Sequence, residues 1–383
     1  MNTLRNQYLK ESKRVVIKVG SRLLVDMERM DLNRRFMQQL VKSITAIRST
    51  GREVVLVSSG AVGAGMASLG LKVKPDDMGK VQACASIGQI ELSHMYQNLF
   101  KRDNIKIGQI LLSAEDFRIR SRYNNINNTI EALLAEDCVP LINENDSVAI
   151  EEIKVGDNDK LSADVTHFLN ADLLIIFTDE NGLYDANPKD DPGAKLIPVV
   201  AKVTKNILKM ASGKGSEIST GGMQTKLQAI KQATDAGCAS ILANGFEVDA
   251  FKLLEGVEAG TFFLPSTEHT SQRKRWIGLV STTTSAIVLD NGAIKAIKAG
   301  RSSVLLVGVK ETVGEFASGD LVNIQSVQGA IIARGIVSYR SDEISDLAGL
   351  KEPEINKWIE EHVGSQGKKN PSICIHRNDL YLT

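Results

Sequence analysis

The chain has few cysteines and no arrangement of them that indicates a metal or a disulfide framework. Its four cysteines, Cys84, Cys138, Cys238 and Cys374, are scattered over 383 residues, with no CxxC pair and no histidine at metal-ligand spacing. This distribution excludes a disulfide-rich scaffold and a zinc ribbon. Each cysteine is expected to be a small buried side chain.

The chain also lacks an excess of charge and a long apolar run. Lysine plus arginine equals aspartate plus glutamate at 46 each, so no overall field attracts nucleic acid or an anionic membrane. Residues 1–14 have no apolar core long enough for a signal peptide, and no stretch approaches the ~18 apolar residues of a membrane span. We therefore expect a cytoplasmic protein with no membrane partner.

Histidines are few and far apart in the sequence. The five of them are not accompanied by a nucleophile elbow, so nothing favours a Ser/His/Asp hydrolase.

What the chain does have is a regular alternation of strand-like and helix-like segments, within an ordinary globular composition of 43 % hydrophobic and 24 % charged residues. Apolar runs and amphipathic spacing predict strands over 14–19, 53–57, 105–112, 138–142 and 172–177 and helices over 31–48, 81–100, 123–136 and 161–169. Asp31 is the expected N-cap of the helix over 31–48. The alternation predicts an α/β fold with a mainly parallel sheet.

Beyond residue 285 the pattern changes to short strands. These are predicted over 286–289, 303–307, 321–324 and 330–338, separated by glycine turns such as Asn291–Gly292. We predict a first domain over 1–265, a charged linker over 266–284 and a small β-rich domain over 285–383.

The most polar stretch of the chain runs from Asn143 to Asp164, between an apolar strand and a helix. It brings together acidic and amide side chains: Glu144, Asp146, Asp157, Asp159, Asn143, Asn145 and Asn158. Burying such groups costs several kcal/mol each unless they are paired, and ligands at strand ends are the usual partners. This stretch is therefore expected to form the floor of an active site, with a hairpin around Lys154 above it.

Two lysines and two glycine-rich turns add groups that suit an anion. Lys18 interrupts the first strand, where a lysine is either an edge residue or an ammonium delivered to a ligand. Ser58–Gly65 follows a strand and opens a helix, and Thr220–Lys226 (TGGMQTK) opens another. Phosphoryl transfer needs cations and backbone donors around the transferred group, and Asp159 could orient both Lys18 and Lys226.

Five motifs give the chain a resemblance to the glutamate 5-kinases of the amino-acid kinase family. They are VVIKVGS (15–21), VSSGAVGAG (57–65), LINENDSVAIEEIKVGDNDKLSA (141–163), FTDENGLYDANP (177–188) and TGGMQTKLQAI (220–230). The tail from about Ser285 resembles a PUA domain. The resemblance implies a three-layer α/β/α kinase domain that phosphorylates the γ-carboxylate of L-glutamate with ATP and Mg²⁺, the first step of proline biosynthesis.

The resemblance also implies residue roles. Lys18 and Lys226 would stabilise the phosphoryl group, organised by Asp159, with no protein ligand to the metal. The glutamate-binding residues would be Ser59, Gly60, Ala61, Asp146 and Asn158. The ATP-binding residues would be Lys18, Thr178, Asp179, Thr220, Gly221, Gly222, Met223, Gln224, Thr225 and Lys226. Lys154 would belong to a mobile hairpin near the phosphates.

Family membership further implies feedback inhibition by proline, a homodimer or homotetramer, and glutamyl phosphate reductase as a downstream partner. Two alternatives stay open. Another kinase of the family, such as one acting on N-acetylglutamate, would share the lysines and glycine turns. An RNA-binding protein would use the PUA-like tail, but residues 285–383 carry 11 Lys and Arg against 12 Asp and Glu, which does not favour binding to a phosphate backbone.

Overall fold

The computed structural model describes residues 2–118, 120–148, 158–188, 190–210, 222–266, 285–299, 302–362 and 371–382. The chain divides into two compact units, Met1–His269 and Thr270–Thr383. Most of the predicted linker lies outside the described residues, so the boundaries at 265 and 285 stay a prediction.

The first unit is built on a sheet of eight strands, counted over the described ranges. They are β1 Arg14–Val19, β4 Glu53–Val57, β5 Ile107–Leu112, β6 Val139–Glu144, β7 Leu173–Thr178, β8 Val199–Val200, β9 Ala239–Asn244 and β10 Thr261–Phe263, and a separate ribbon contains β2 Val25–Asp26 and β3 Asp31–Leu32. The strand order is β5-β6-β4-β1-β7-β9-β10-β8. Within this sheet, as far as the chain is described, β9 and β10 pair antiparallel and all other neighbours pair in parallel. The predicted mainly parallel α/β sheet is confirmed.

Helices cover both faces of this sheet. They are α1 Asn2–Glu11, α2 Ser21–Leu24, α3 Arg34–Ser49, α4 Ala61–Ser68, α5 Met78–Lys101, α6 Ala114–Arg118, α7 Arg120–Ala135, α8 Asn158–Phe168, α9 Lys205–Met210, α10 Met223–Asp235 and α11 Ala250–Leu254. Because side chains alternate along a strand, Val15, Ile17 and Val19 of β1 pack with α3 and α5. Lys18 points to the opposite face, where it reaches α8. The fold is therefore three-layered, α/β/α.

Two predictions from short polar side chains, a helix cap at Asp31 and a turn at Asn291–Gly292, were wrong. Asp31 does not cap α3, because it lies in β3, and the carboxamide of Asn33 accepts the cap bond from the Phe36 N–H at 3.1 Å. Asn291–Gly292 is not a turn, because Asp290 accepts from the Ala293 N–H at 2.7 Å and starts a helix. Short polar side chains begin helices and turns by the same kind of bond, so sequence alone does not separate them.

The second unit is a small β-rich domain with its own core. Its strands are β11 Ala286–Leu289, β12 Val304–Leu305, β13 Val309–Val313, β14 Leu321–Ser326, β15 Ile331–Ile336, β16 Ile373–Ile375 and β17 Leu380–Leu382, and its helices are Asn291–Lys298, Ser341–Leu347 and Glu352–His362. Five strands form one sheet in the order β13-β11-β14-β15-β17. The predicted strand over 303–307 is wrong in its second half, which is a 3₁₀ turn, Leu306–Gly308. The two later helices were not predicted.

Among the described residues, no helix is both long and apolar enough to cross a membrane.

Candidate active site

The polar residues that the sequence singled out gather at one edge of the first unit's sheet. Strands β4, β1 and β7 are parallel neighbours, so their carboxyl ends lie side by side. The next sheet strand after β1 is β4, on one side, whereas the strands that follow β7, namely β8, β9 and β10, all lie on the other side. Open parallel sheets bind ligands where the strand order diverges in this way. Lys18 lies at this edge, one residue before the end of β1.

A buried carboxylate joins two lysines from different parts of the chain. The Nζ of Lys18 donates to Oδ1 of Asp159 at 2.5 Å, and the Nζ of Lys226 donates to Oδ2 at 3.4 Å. The hydroxyl of Thr225 donates to the same Oδ2 at 2.9 Å. Lys18, Asp159 and Lys226 are 5 %, 2 % and 9 % exposed. The sequence-based expectation that one carboxylate can orient both ammonium groups agrees with this geometry, although the catalytic roles themselves stay a prediction.

The electrostatics of this trio follow from its charges. Burial alone would raise the pKa of Asp159, but the ammonium groups of Lys18 and Lys226 and the hydrogen bonds from Lys18 and Thr225 hold it below its usual value. Asp159 is therefore ionised at neutral pH, and the trio carries a net charge of +1. A positive cluster enclosed in protein suits an anionic ligand such as a phosphoryl group.

Helix α10 presents backbone donors next to Lys226. Its N-cap, Gly222, makes no side-chain cap bond, so the first-turn N–H groups of Met223, Gln224 and Thr225 point out of the helix start without a side-chain acceptor at the cap. Such N–H groups bind phosphate oxygens readily. Thr220 and Gly221, which were predicted to share this role, lie outside the described residues, as does Lys154.

The turn after β4 is fixed in shape by glycine. Gly60 has φ of 91°, in the left-handed region, and it begins α4 directly after Ser59. Beneath it, the Ser58 hydroxyl lies 3.2 Å from the hydroxyl of the fully buried Tyr96. The sequence did not identify Tyr96, which occupies an ordinary core position of α5.

Close packing of α4 on α5 holds the same turn in place. A Cβ added at Gly65 would lie 1.8 Å from the Cys84 carbonyl oxygen, and one added at Gly88 would lie 1.9 Å from that of Ala61. The two helices therefore touch through their backbones, which only glycine permits. Ser59, Gly60 and Ala61 are in this way fixed at the sheet edge.

Asp146 and Asn158 each place a buried acceptor oxygen within the polar stretch. Asp146 lies in the 3₁₀ turn Asp146–Val148, and Asn158 begins α8. Each side chain has an Oδ1 atom without a hydrogen-bond partner among the residues that the structure describes. Burial raises the pKa of Asp146 to about 6, and the charge of Lys74 opposes this shift only in part. Buried acceptors of this kind call for a donor from a ligand.

Thr178 and Asp179 lie at the end of β7, but the carboxylate of Asp179 is already bonded within the protein. Its Oδ2 accepts from Nη1 of Arg22 at 3.0 Å, and its Oδ1 accepts from the Thr178 hydroxyl at 3.1 Å. Burial would raise the pKa of Asp179, but the hydrogen bond and charge of Arg22, together with the bonds from the backbone and from Thr178, lower it below its ordinary value. Nucleotide contact by Thr178 and Asp179 stays a prediction. Arg22 was missed, because an exposed arginine after a turn carries no distinctive signal.

Acidic residues do not gather into a metal cage in the described part of the chain. No group of three His, Cys, Asp or Glu side chains is placed there to hold a metal ion. The ammonium groups that Asp159 holds and the first-turn N–H groups of α10 are donors, which bind phosphate oxygens rather than a cation.

Comparison with known proteins gives matches for both units. Residues 13–244 match the amino acid kinase family, and residues 285–359 match the PUA domain. A glutamate 5-kinase from Trichlorobacter lovleyi is 42 % identical over 380 residues, covering 99 % of this chain and 99 % of that protein. One from Syntrophotalea carbinolica is 40 % identical over 380 residues, covering 99 % and 100 %. A solved UMP kinase from Bacillus anthracis has a TM-score of 0.48 at 16 % identity, covering 67 % of this chain and 97 % of that one.

The family match spans more than half of the chain, and the relatives align with nearly all of it. The chain therefore belongs to the amino acid kinase family, within its group of glutamate 5-kinases, and carries a C-terminal PUA domain.

Proposed function

We propose that this chain transfers the γ-phosphoryl group of ATP to the γ-carboxylate of L-glutamate, giving ADP and γ-glutamyl phosphate for proline biosynthesis. The observation that carries the proposal is the buried trio in which Asp159 holds Lys18 and Lys226 at the strand ends. Relatives that align over almost the whole chain are named glutamate 5-kinase, which favours glutamate over N-acetylglutamate and over RNA.

On the amino-acid side, the unpartnered oxygens of Asp146 and Asn158 would accept hydrogen bonds from the α-ammonium group of glutamate. The turn of Ser59, Gly60 and Ala61 would lie under the reacting carboxylate. That carboxylate needs no general base, because a free glutamate side chain, with a pKa of about 4.3, is already ionised at neutral pH.

On the nucleotide side, the first turn of α10 would bind phosphate oxygens through backbone N–H groups. As charge spreads over the transferred group, the ammonium groups of Lys18 and Lys226 stabilise it from two directions. Asp159 keeps both lysines in place throughout, so no rearrangement is needed at the moment of transfer.

Magnesium would enter with ATP, since it is bound mainly through phosphate oxygens and water in such sites. When bound, it would supply positive charge that neutralises the phosphate oxygens. Both oxygens of Asp159 already accept hydrogen bonds from the protein, so we do not assign this residue as a metal ligand.

The test is direct detection of the acyl phosphate. Hydroxylamine converts γ-glutamyl phosphate into a hydroxamate, which ferric ion turns into a coloured complex. Release of ADP is followed in parallel with glutamate, N-acetylglutamate and aspartate as acceptors. We expect hydroxamate and ADP in equal amounts with glutamate alone. ADP release with N-acetylglutamate but not with glutamate would overturn the proposal. Proline inhibition stays a prediction, which the same assay repeated with proline would test. The homodimer or homotetramer, the reductase partner and a cytoplasmic location also stay predictions.

A further inference from the structure

A second buried carboxylate, Asp164, joins helices α8 and α10. Asp164 of α8 is 4 % exposed. Its Oδ1 accepts from Nε2 of Gln232 on α10 at 2.6 Å, and its Oδ2 accepts from Nζ of Lys160 at 2.6 Å. A buried carboxylate is costly where an apolar contact would suffice, so a specific structural or functional reason for its presence is expected.

The bond between Asp164 and Gln232 is one of the polar bonds between these helices. Two others join Thr225 and Lys226 of α10 to Asp159 of α8. Residues 225 and 232 are about 10 Å apart along α10, and residues 159 and 164 about 7 Å apart along α8, from the rise of about 1.5 Å per residue. Two fixed points at this separation set both the distance and the relative tilt of the helices.

This matters for Lys226 more than for Lys18. Lys18 is held by β1, which has parallel neighbours on both sides, and its Nζ lies 2.5 Å from Asp159. Lys226 depends on how α10 packs against α8, and its Nζ lies 3.4 Å from the same carboxylate. A small shift of α10 therefore changes the position of Lys226 while that of Lys18 is kept.

We propose that Asp164 is a positioning residue for phosphoryl transfer: through Gln232 it holds α10, and with it Lys226, at the correct distance from Asp159. The inference rests on the proposed function for its catalytic consequence. It assigns no contact between Asp164 and a substrate.

The first test separates turnover from glutamate binding. Asp164→Ala and Gln232→Ala are each expected to lower kcat about 10-fold, since small misplacements of a catalytic group are costly. The KM for glutamate should stay within about twofold, because the predicted glutamate-binding residues lie outside α10. Asp164→Asn keeps an oxygen facing Gln232 and should restore kcat to within about twofold. The matched control is Asp235→Ala, which removes an exposed pair with Lys231 on the same helix and should change neither constant.

A second test asks whether the effect passes through Lys226. In a Lys226→Ala background, Asp164→Ala should cause no further loss of kcat, because coupled residues are not additive. The same 10-fold loss in both backgrounds would overturn the proposal.

Hydrogen exchange tests the bond between Asp164 and Gln232 independently of enzyme activity. Amides of residues 223–229 should exchange faster in Asp164→Ala and Gln232→Ala than in Asp235→Ala. Equal exchange in all three variants would overturn the proposal even if the wild type phosphorylates glutamate. If the wild type forms no hydroxamate, the proposed function fails and exchange alone decides whether Asp164 orders α10.

Discussion

Replacing Asp159 with asparagine is expected to disable phosphoryl transfer while leaving the fold intact. The amide has the shape of the carboxylate but no charge, and its NH₂ group would face an ammonium group instead of accepting from it. Lys18 and Lys226 would lose their common anchor. Removing one preorganised charge-stabilising group costs about 10²- to 10³-fold in turnover. Because two lysines are affected together, we expect kcat to fall by about 10³-fold or more.

The same substitution should be visible in stability. Leaving buried charges without their partner costs about 3–5 kcal/mol. For a domain of this size each kcal/mol shifts the unfolding temperature by roughly 2–4 °C, which gives a fall of roughly 6–20 °C. The ammonium groups of Lys18 and Lys226 hold the pKa of Asp159 below its ordinary value, so its stabilising contribution is present above about pH 4, where an unfolded aspartate ionises, and is lost as the pH falls through its folded pKa. The variant should therefore lose less stability than the wild type on acidification below pH 4.

Initial rates of hydroxamate formation and thermal unfolding measure the two effects. Asp164→Asn is the matched control, since it makes the same change on the same helix at a position that faces Gln232 and the half-exposed Lys160 instead of two buried lysines. An Asp159→Asn enzyme with kcat within threefold of wild type would refute the assignment of this carboxylate as the organiser of the lysines.

Three further predictions concern the rest of the site. Lys18→Ala and Lys226→Ala should each lower kcat by about 10²- to 10³-fold, and near-normal turnover in steady-state assays would remove that lysine from the mechanism. Asp146, with a pKa of about 6, must be ionised to bind an ammonium group, so the KM for glutamate should rise about 10-fold per pH unit below pH 6. Asp146→Asn should give a high KM that lacks this pH dependence. An unchanged KM in this variant would mean that Asp146 has only a structural role. Gly88→Ala should destabilise the protein by about 1–3 kcal/mol or more and weaken glutamate binding, because the new methyl group would overlap the Ala61 carbonyl. Gly79→Ala, on the same helix with its nearest neighbour at 3.4 Å, is the control and should unfold at the wild-type temperature or above it.

The strands of the parallel sheet could be predicted because their physics is local. Runs such as Arg14–Val19 and Leu173–Thr178 are mostly apolar and buried almost throughout. Each can therefore be identified as a strand from its own residues, without knowledge of the neighbouring strands. The polar residue within or after such a run could then be placed at the carboxyl edge of the sheet, where we propose that the ligands bind. Strands β8 and β10 were missed because two or three residues are too few for a pattern.

The contacts that hold the site together could not be predicted in the same way. Asp164 and Gln232 are 68 residues apart, and each looks like an ordinary polar position on an amphipathic helix. Their meeting depends on how two helices pack, which periodicity does not specify. The pairing of Asp179 with Arg22, 157 residues away, was missed for the same reason.

Two carboxylates of the polar stretch from Asn143 to Asp164, those of Asp159 and Asp146, differ in the hydrogen bonds that they receive from the protein. Asp159 receives donors on both oxygens, and its pKa is lowered. Asp146 keeps an oxygen without a donor among the described residues, and its pKa is raised. A catalytic group gains from being fixed before the reaction, whereas a binding group must leave its bonding capacity for the ligand. The opposite directions of the two pKa shifts are what the proposed roles require, with a preorganised phosphoryl-transfer site around Asp159 and a substrate-binding site around Asp146 that a cationic amino group would complete.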